Sequence, residues 1–135
     1  MNLDAVMAEV AARLDTIAGL RVADHPADAI NPPHAIVALP EITFDLTYAR
    51  GCDRLRLPVV VAVGKVSDRA SVKEAIAYAN GSGSKSVKQV LEDETTPYEA
   101  FDTLRVESVD FDVISWGAVE YLTAAFTLDI VGSGA

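Results

Sequence analysis

Two runs of alternating residues constrain this chain more than anything else in it. In EITFDLTY, residues 41–48, Ile42, Phe44, Leu46 and Tyr48 fall on one side, and Glu41, Thr43, Asp45 and Thr47 on the other. After ARGCD the alternation resumes with Leu55, Leu57, Val59, Val61 and Val63. A period of two is the pleat of a β-strand with one buried and one wet face. Two such runs joined by a short link containing Gly51 predict a hairpin. Arg54, Arg56 and Pro58 share the other face of the second strand. Proline cannot donate to a sheet ladder, so Pro58 predicts an edge strand or a bulge at that point.

The last third of the chain alternates again. Leu104 and Val106 are in phase, whereas Val109 and Phe111 are out of step with them, and a bulge near Glu107-Ser108 would reconcile the two. Residues 118–131 place Leu122, Ala124, Phe126, Leu128 and Ile130 on one face. Residues 131–135, ending in GSGA, read as a flexible tail. Shorter extended pieces are expected at 20–23 and 34–39, separated by the loop HPADAINPPH, which is stiffened by Pro32-Pro33.

Between the strands the period changes to that of a helix. Val6, Met7, Val10, Leu14 and Ile17 recur at three- and four-residue steps, with Asn2 or Asp4 as N-cap and Gly19 as the stop. A second helix is expected to end near Asn80, capped at Ser67 or by the S-V-K-E capping box at 71–74. Its inward stripe reads as Val72, Ala75, Ile76 and Ala79. A third, from about Val87 to Asp93, turns Val87, Val90 and Leu91 inward. The sum is one compact α+β domain over residues 1–135. Its sheet is mostly antiparallel or mixed, flanked by an N-terminal helix and two central helices.

Charge and length exclude several functions. Twenty acidic residues against eleven basic ones give a net charge of −9, the wrong sign for a protein that neutralises phosphates or adheres to anionic lipid. The longest apolar run, Leu57 to Val63, is far short of the roughly 20 residues that cross a bilayer. The N-terminus carries Asp4 and Glu9 rather than the pattern of a signal peptide. One cysteine, Cys52, cannot make an internal disulfide and suits synthesis in a reducing cytosol.

The one stretch that suggests catalysis is NGSGSKS at 80–86. A phosphate-binding loop of the G-x-x-x-x-G-K-[ST] type sits between a strand and a helix. Here a serine separates the glycine from Lys85, and a helix precedes the loop. Asn80-Gly81 instead suits a helix C-terminus with one left-handed residue, and Ser86 with Gln89 fits the cap of the next helix. His25 and His34 lack zinc-ligand spacing and read as surface-loop residues. Cys52 lies near Arg50 and Arg54, which could lower a thiol pKa, but it has no marked partner. Glu92, Asp93 and Glu94 form an acidic run at a helix end, where the dipole is unfavourable to them. Trp116-Gly117 in a loop could be an interface anchor. No catalytic, cofactor or metal site is expected, and the residues alone describe an acidic structural or binding domain.

Several stretches in order nevertheless resemble one family. These are a first helix ending in AGLRV, the run INPPHAIVALPEITFDLTYARGCDRLRLPVVVAVGKVSDRAS, the GSGSKSV connector and the strand VEYLTAAFTLDI. Together they resemble the tail terminator, or tail completion, proteins of long-tailed bacteriophages, especially those of actinobacteria. None of these stretches is a catalytic motif.

The resemblance implies a structural virion protein, made in the bacterial cytoplasm and placed at the head-proximal end of the tail. It implies a ring, commonly hexameric, that stops growth of the tail tube. Its partners would be the tail tube protein and a head–tail connector or stopper protein. Genomic DNA would pass through the lumen without specific binding, and no membrane is involved. The fold implied is a sheet flanked by helices. A closing ring needs two different complementary patches on each subunit. The ARGCD turn with Arg50, Asp53 and Arg54, the strand face with Arg56, and Trp116 are the candidate subunit or tube contacts. A head-closure protein of the phage neck is the nearest alternative. A small ligand-binding domain or enzyme would need convergent polar groups in a pocket.

Overall fold

The computed structural model describes residues 2–17, 19–23, 33–44, 52–66, 69–93, 97–116 and 118–133. Helix α1, Leu3–Leu14, comes first, followed by strands β1, Arg21–Ala23, β2, His34–Val37, β3, Glu41–Thr43, and β4, Cys52–Lys65. Helices α2, Arg69–Ala79, and α3, Val87–Leu91, lead to β5, Thr103–Trp116, and β6, Val119–Ser133. The six strands form one mixed sheet in the order β1-β2-β4-β6-β5, with β3 also pairing with β4. Only β1 and β2 are parallel to each other. This is the α+β architecture that the alternation predicts.

One face of the sheet carries the core. Leu55, Leu57, Val59 and Val61 of β4 lie opposite Ile130, Leu128, Phe126 and Ala124 of β6, and all eight are buried. The three helices pack on this face through Val6, Val10 and Leu14 of α1, Tyr78 of α2 and Val87 and Leu91 of α3. Each fully buried Val, Leu or Phe contributes on the order of 1.5–3 kcal/mol. The expected bulge near Glu107-Ser108 is present as a register shift between Val106 and Ser108. It returns Val109 and Phe111 to the face that Val106 occupies.

The helix ends follow local chemistry. Asn2 Oδ1 accepts the Ala5 N–H at 3.2 Å, and Ser86 Oγ accepts the Gln89 N–H at 3.1 Å. The Gln89 side chain does not complete a capping box. It accepts the Gly83 N–H at 2.8 Å, while the Ser86 hydroxyl donates to the Asn80 carbonyl at 2.6 Å. The 80–86 connector is therefore tied to the helices on both sides. Its left-handed glycine is Gly83, at φ +121°, rather than Gly81. Gly19, at φ +81°, follows the first helix as expected.

Four expectations are corrected. Pro58 does not mark an edge, because β4 lies inside the sheet between β2 or β3 on one side and β6 on the other. Pro58 falls where β2 ends and β3 has not begun. Its carbonyl accepts the Ala38 N–H at 2.9 Å, and its missing N–H faces a gap in the ladder. Second, Ser71 is not a cap but lies inside α2, and Ser67 falls outside the described residues. Ser71, Ala75 and Tyr78 face inward, whereas Val72 and Ile76 are about half exposed. The helix is turned because Gly64, which has no side chain, leaves room for Ser71 against β4. Third, residues 131–133 are not a tail. They continue β6, pairing Val131, Gly132 and Ser133 with Arg54, Asp53 and Cys52. Fourth, His34 is not a surface-loop residue but a β2 residue and is buried. Residues 25–32 of the HPADAINPPH loop, with His25, and residues 45–48 of the EITFDLTY run lie outside the described residues.

Candidate interaction surface

The sheet face opposite the helices carries the charged residues. Glu41 of β3 lies across from Arg56 of β4, Arg56 from Asp129 of β6, and Asp129 from Arg105 of β5. Antiparallel register alone builds this row of alternating sign, since directly opposed side chains are about 5 Å apart. Arg54, one pleat away on the same face, makes the strongest contact. Its Nε donates to Asp129 Oδ1 at 2.7 Å and its Nη2 to Oδ2 at 2.8 Å. This is the bidentate geometry that suits a planar guanidinium to a carboxylate. Arg56 reaches Glu107 at 3.6 Å, and Arg105 reaches Asp129 at 3.9 Å.

Asp129 is the hub of this row and is 8% exposed. Its carboxyl is held below the usual carboxylate range, chiefly by the Arg54 hydrogen bonds. Burial opposes the shift, and the charges of Arg54, Arg105 and Arg56 reinforce it. Arg54 is pushed the other way by the same pair of bonds. The cluster is a structural clasp that ties β4 to β6 across the sheet.

The structure sorts the residues expected at an interface. Asp53 is not at a projecting hairpin tip. It is the second residue of β4, opposite Gly132, and is buried. Arg54 and Arg56 do share a face, but both are engaged with carboxylates of the same chain. Arg50 lies outside the described residues. Trp116 ends β5 opposite Val119, at a hairpin end rather than inside a loop.

What sequence reasoning missed lies at the sheet edges. Phe111 and Val113 on β5 are 51% and 44% exposed, and Leu39 and Phe44 beside β3 are 73% and 68% exposed. Phe111 and Val113 lie opposite Ala124 and Leu122, so they extend the apolar face of the sheet beyond its helix cover. Alternation assigned Phe111 to that face but could not show that no helix reaches it.

A cleft of about 440 Å³ lies between α1 and the segment after α3, lined by Glu9, Arg13, Asp93, Pro97 and Glu99 among others. Its polar groups are taken up within the chain. Glu9 accepts the N–H groups of Glu99 and Ala100 at 2.8 and 3.0 Å. The Arg13 guanidinium lies 3.7 Å from the Tyr98 ring centre and donates to the Asp93 carbonyl at 3.1 Å. Tyr98, whose hydroxyl donates to the Leu91 carbonyl, is pushed up to about 12, chiefly by burial. The cleft is a seam between α1 and the 97–101 segment. Among the described residues, no three His, Cys, Asp or Glu side chains come together as a metal site requires.

Comparison with models of known protein families, and with curated proteins, finds no match for this sequence.

Proposed function

We propose that this chain is a tail terminator of a long-tailed bacteriophage: a virion protein that closes into a ring on the head-proximal end of the tail tube, ends tube growth and presents a surface to the head–tail connector. The observation that carries the reading is the sequence run 30–71, which resembles that family. The fold supports it in physical terms. A ring of identical subunits needs two unlike, complementary patches, and a sheet whose two edges differ in length and composition supplies candidates for both. The charge is consistent with the role. Subunits at −9 each around a central opening repel DNA phosphates, so a genome could pass without sticking. The lumen is accordingly expected to be lined by carboxylates.

The role is tested by adding the purified chain to polymerising tail tube protein. Tubes that stop growing, with a ring on one end, are the expected result. Unchanged tube growth together with binding to the portal complex would replace the terminator with a neck connector. Binding to neither would remove the virion reading.

A further inference from the structure

The outer edge of β5 is the longest open strand edge among the described residues, and it is partly closed by the chain's own carboxylates. The Val106 N–H donates to Glu92 Oε2 at 3.1 Å, from the end of α3. The Val113 N–H donates to Asp112 Oδ1 at 2.8 Å. Side chains that occupy edge N–H groups, and a bulge such as the one at Glu107, are devices that block indiscriminate strand pairing. Between the two stops remains a short window around Val109 to Phe111. It can accept a strand of about three residues.

The opposite side of the sheet offers such a strand. β3 is three residues long and, among the described residues, pairs only with β4. β3 is antiparallel to β4, and β4 and β5 are both antiparallel to β6. β3 and β5 therefore run in opposite directions. Two copies placed side by side in the same orientation would bring β3 of one against β5 of the next as an antiparallel pair. Ile42 lies opposite Leu55 and so belongs to the helix-bearing face. Phe44, two residues on, continues that phase. Phe111 and Val113 belong to the same face, so the exposed side chains at the two edges would meet across the joint rather than on opposite sides of it.

We propose that the β5 edge between its two carboxylate stops receives β3 of a second copy of this chain, head to tail, with Phe44 packing against Phe111 and Val113. The proposal rests on the ring reading and deepens it by naming the subunit contact. A two-fold β5–β5 pair is the competing arrangement and fits worse. Pairing along the whole edge would displace both stops, and a pair centred on Phe111 would set Asp110 opposite Asp112, a like-charge contact that destabilises an antiparallel ladder. The β3–β5 contact is heterologous, as ring closure requires.

The test uses two charge substitutions at exposed positions, Phe44→Asp and Phe111→Asp, with thermal melting to check that each variant remains folded. Self-association is read by sedimentation and native mass. Each variant alone is expected to lose association at least tenfold. Mixing them should restore dimers and nothing larger, because the Phe44→Asp chain keeps an intact β5 and the Phe111→Asp chain an intact β3. A cysteine pair, Phe44→Cys with Phe111→Cys in a Cys52→Ser background, should form cross-links between copies under oxidation. Association lost only in Phe111→Asp, with no rescue on mixing, would overturn the proposal in favour of the two-fold pair. Wild-type rings insensitive to both substitutions would overturn it while leaving the ring reading standing. A wild-type chain that stays monomeric at every concentration would also overturn it, and tube growth would then decide the ring reading separately.

Discussion

Replacing Gly64 with alanine is predicted to destabilise the fold, although the backbone there can accept a side chain. A Cβ on Gly64 would lie 2.4 Å from Ser71 Oγ and 3.5 Å from Ser71 Cβ. The second distance is ordinary contact, so the conflict is with one hydroxyl oxygen. That oxygen belongs to a residue 5% exposed inside α2, and moving it means turning a buried rotamer or lifting the helix. Overpacking of this kind costs about 1–3 kcal/mol. The alanine also restricts the unfolded chain, which offsets roughly 0.4–1 kcal/mol. A net loss of about 1–2 kcal/mol remains, or roughly 3–8 °C in Tm for a chain of this size. Ser71→Ala removes the offending oxygen, so the double variant should recover most of the loss. Four melting curves, or four urea titrations, give the coupling between the two sites directly. A Gly64→Ala protein as stable as the wild type would refute the argument. A loss that Ser71→Ala fails to relieve would show that the cause lies elsewhere.

Other consequences can be checked alongside. Ser86→Ala removes the cap of α3 and the hydroxyl bond to Asn80, and should cost about 1–2 kcal/mol in denaturant unfolding. Asp129→Asn should lower stability at neutral pH, because the Arg54 clasp loses its charge. The Asp129 carboxyl titrates below its ordinary value of 3.8 in the fold, so its contribution is full above that value and is lost as pH falls through the folded pKa. Stability curves of wild type and variant should therefore converge in acid; a constant gap would contradict the assignment. His34 is depressed below 6.5, first by burial and then by the Arg21 charge. The unfolded state takes up the proton first, so stability should fall as pH drops through about 6.5. His34→Leu should flatten that part of the profile. Arg54→Glu is a poor probe of assembly, because it sets a second carboxylate against Asp129 and should lower Tm whatever it does to a ring.

Much of the fold was legible because strand alternation is a local signal. The phase change between Val106 and Val109 gave the bulge, and the same alternation gave the core faces of β4 and β6. Asn2 and Ser86 were readable as caps because a short side-chain oxygen beside a helical run has few other uses. The misreadings share a physical reason: each depends on what lies beside the strand or helix, not on its own residues. Pro58 reads as an edge marker because no local signal shows a partner strand breaking off beside it. The α2 stripe was assigned by apolarity, but the fit of Ser71 over Gly64 and the burial of Tyr78 decided the rotation. Gly132 and Ser133 look like a tail until Asp53 and Cys52 provide a ladder for them. The interaction surface was the least legible part. The sequence pointed to charged residues, of which the fold engages Arg54 and Arg56 within the chain, whereas exposure of Phe44 and Phe111 depends on where the helix layer ends.

The most direct test of the central claim is the native mass of the purified chain, alone and with tail tube protein. The account predicts one closed assembly, six copies in the expected case, formed alone or on the tube end. A chain that remains a monomer in both settings would contradict it.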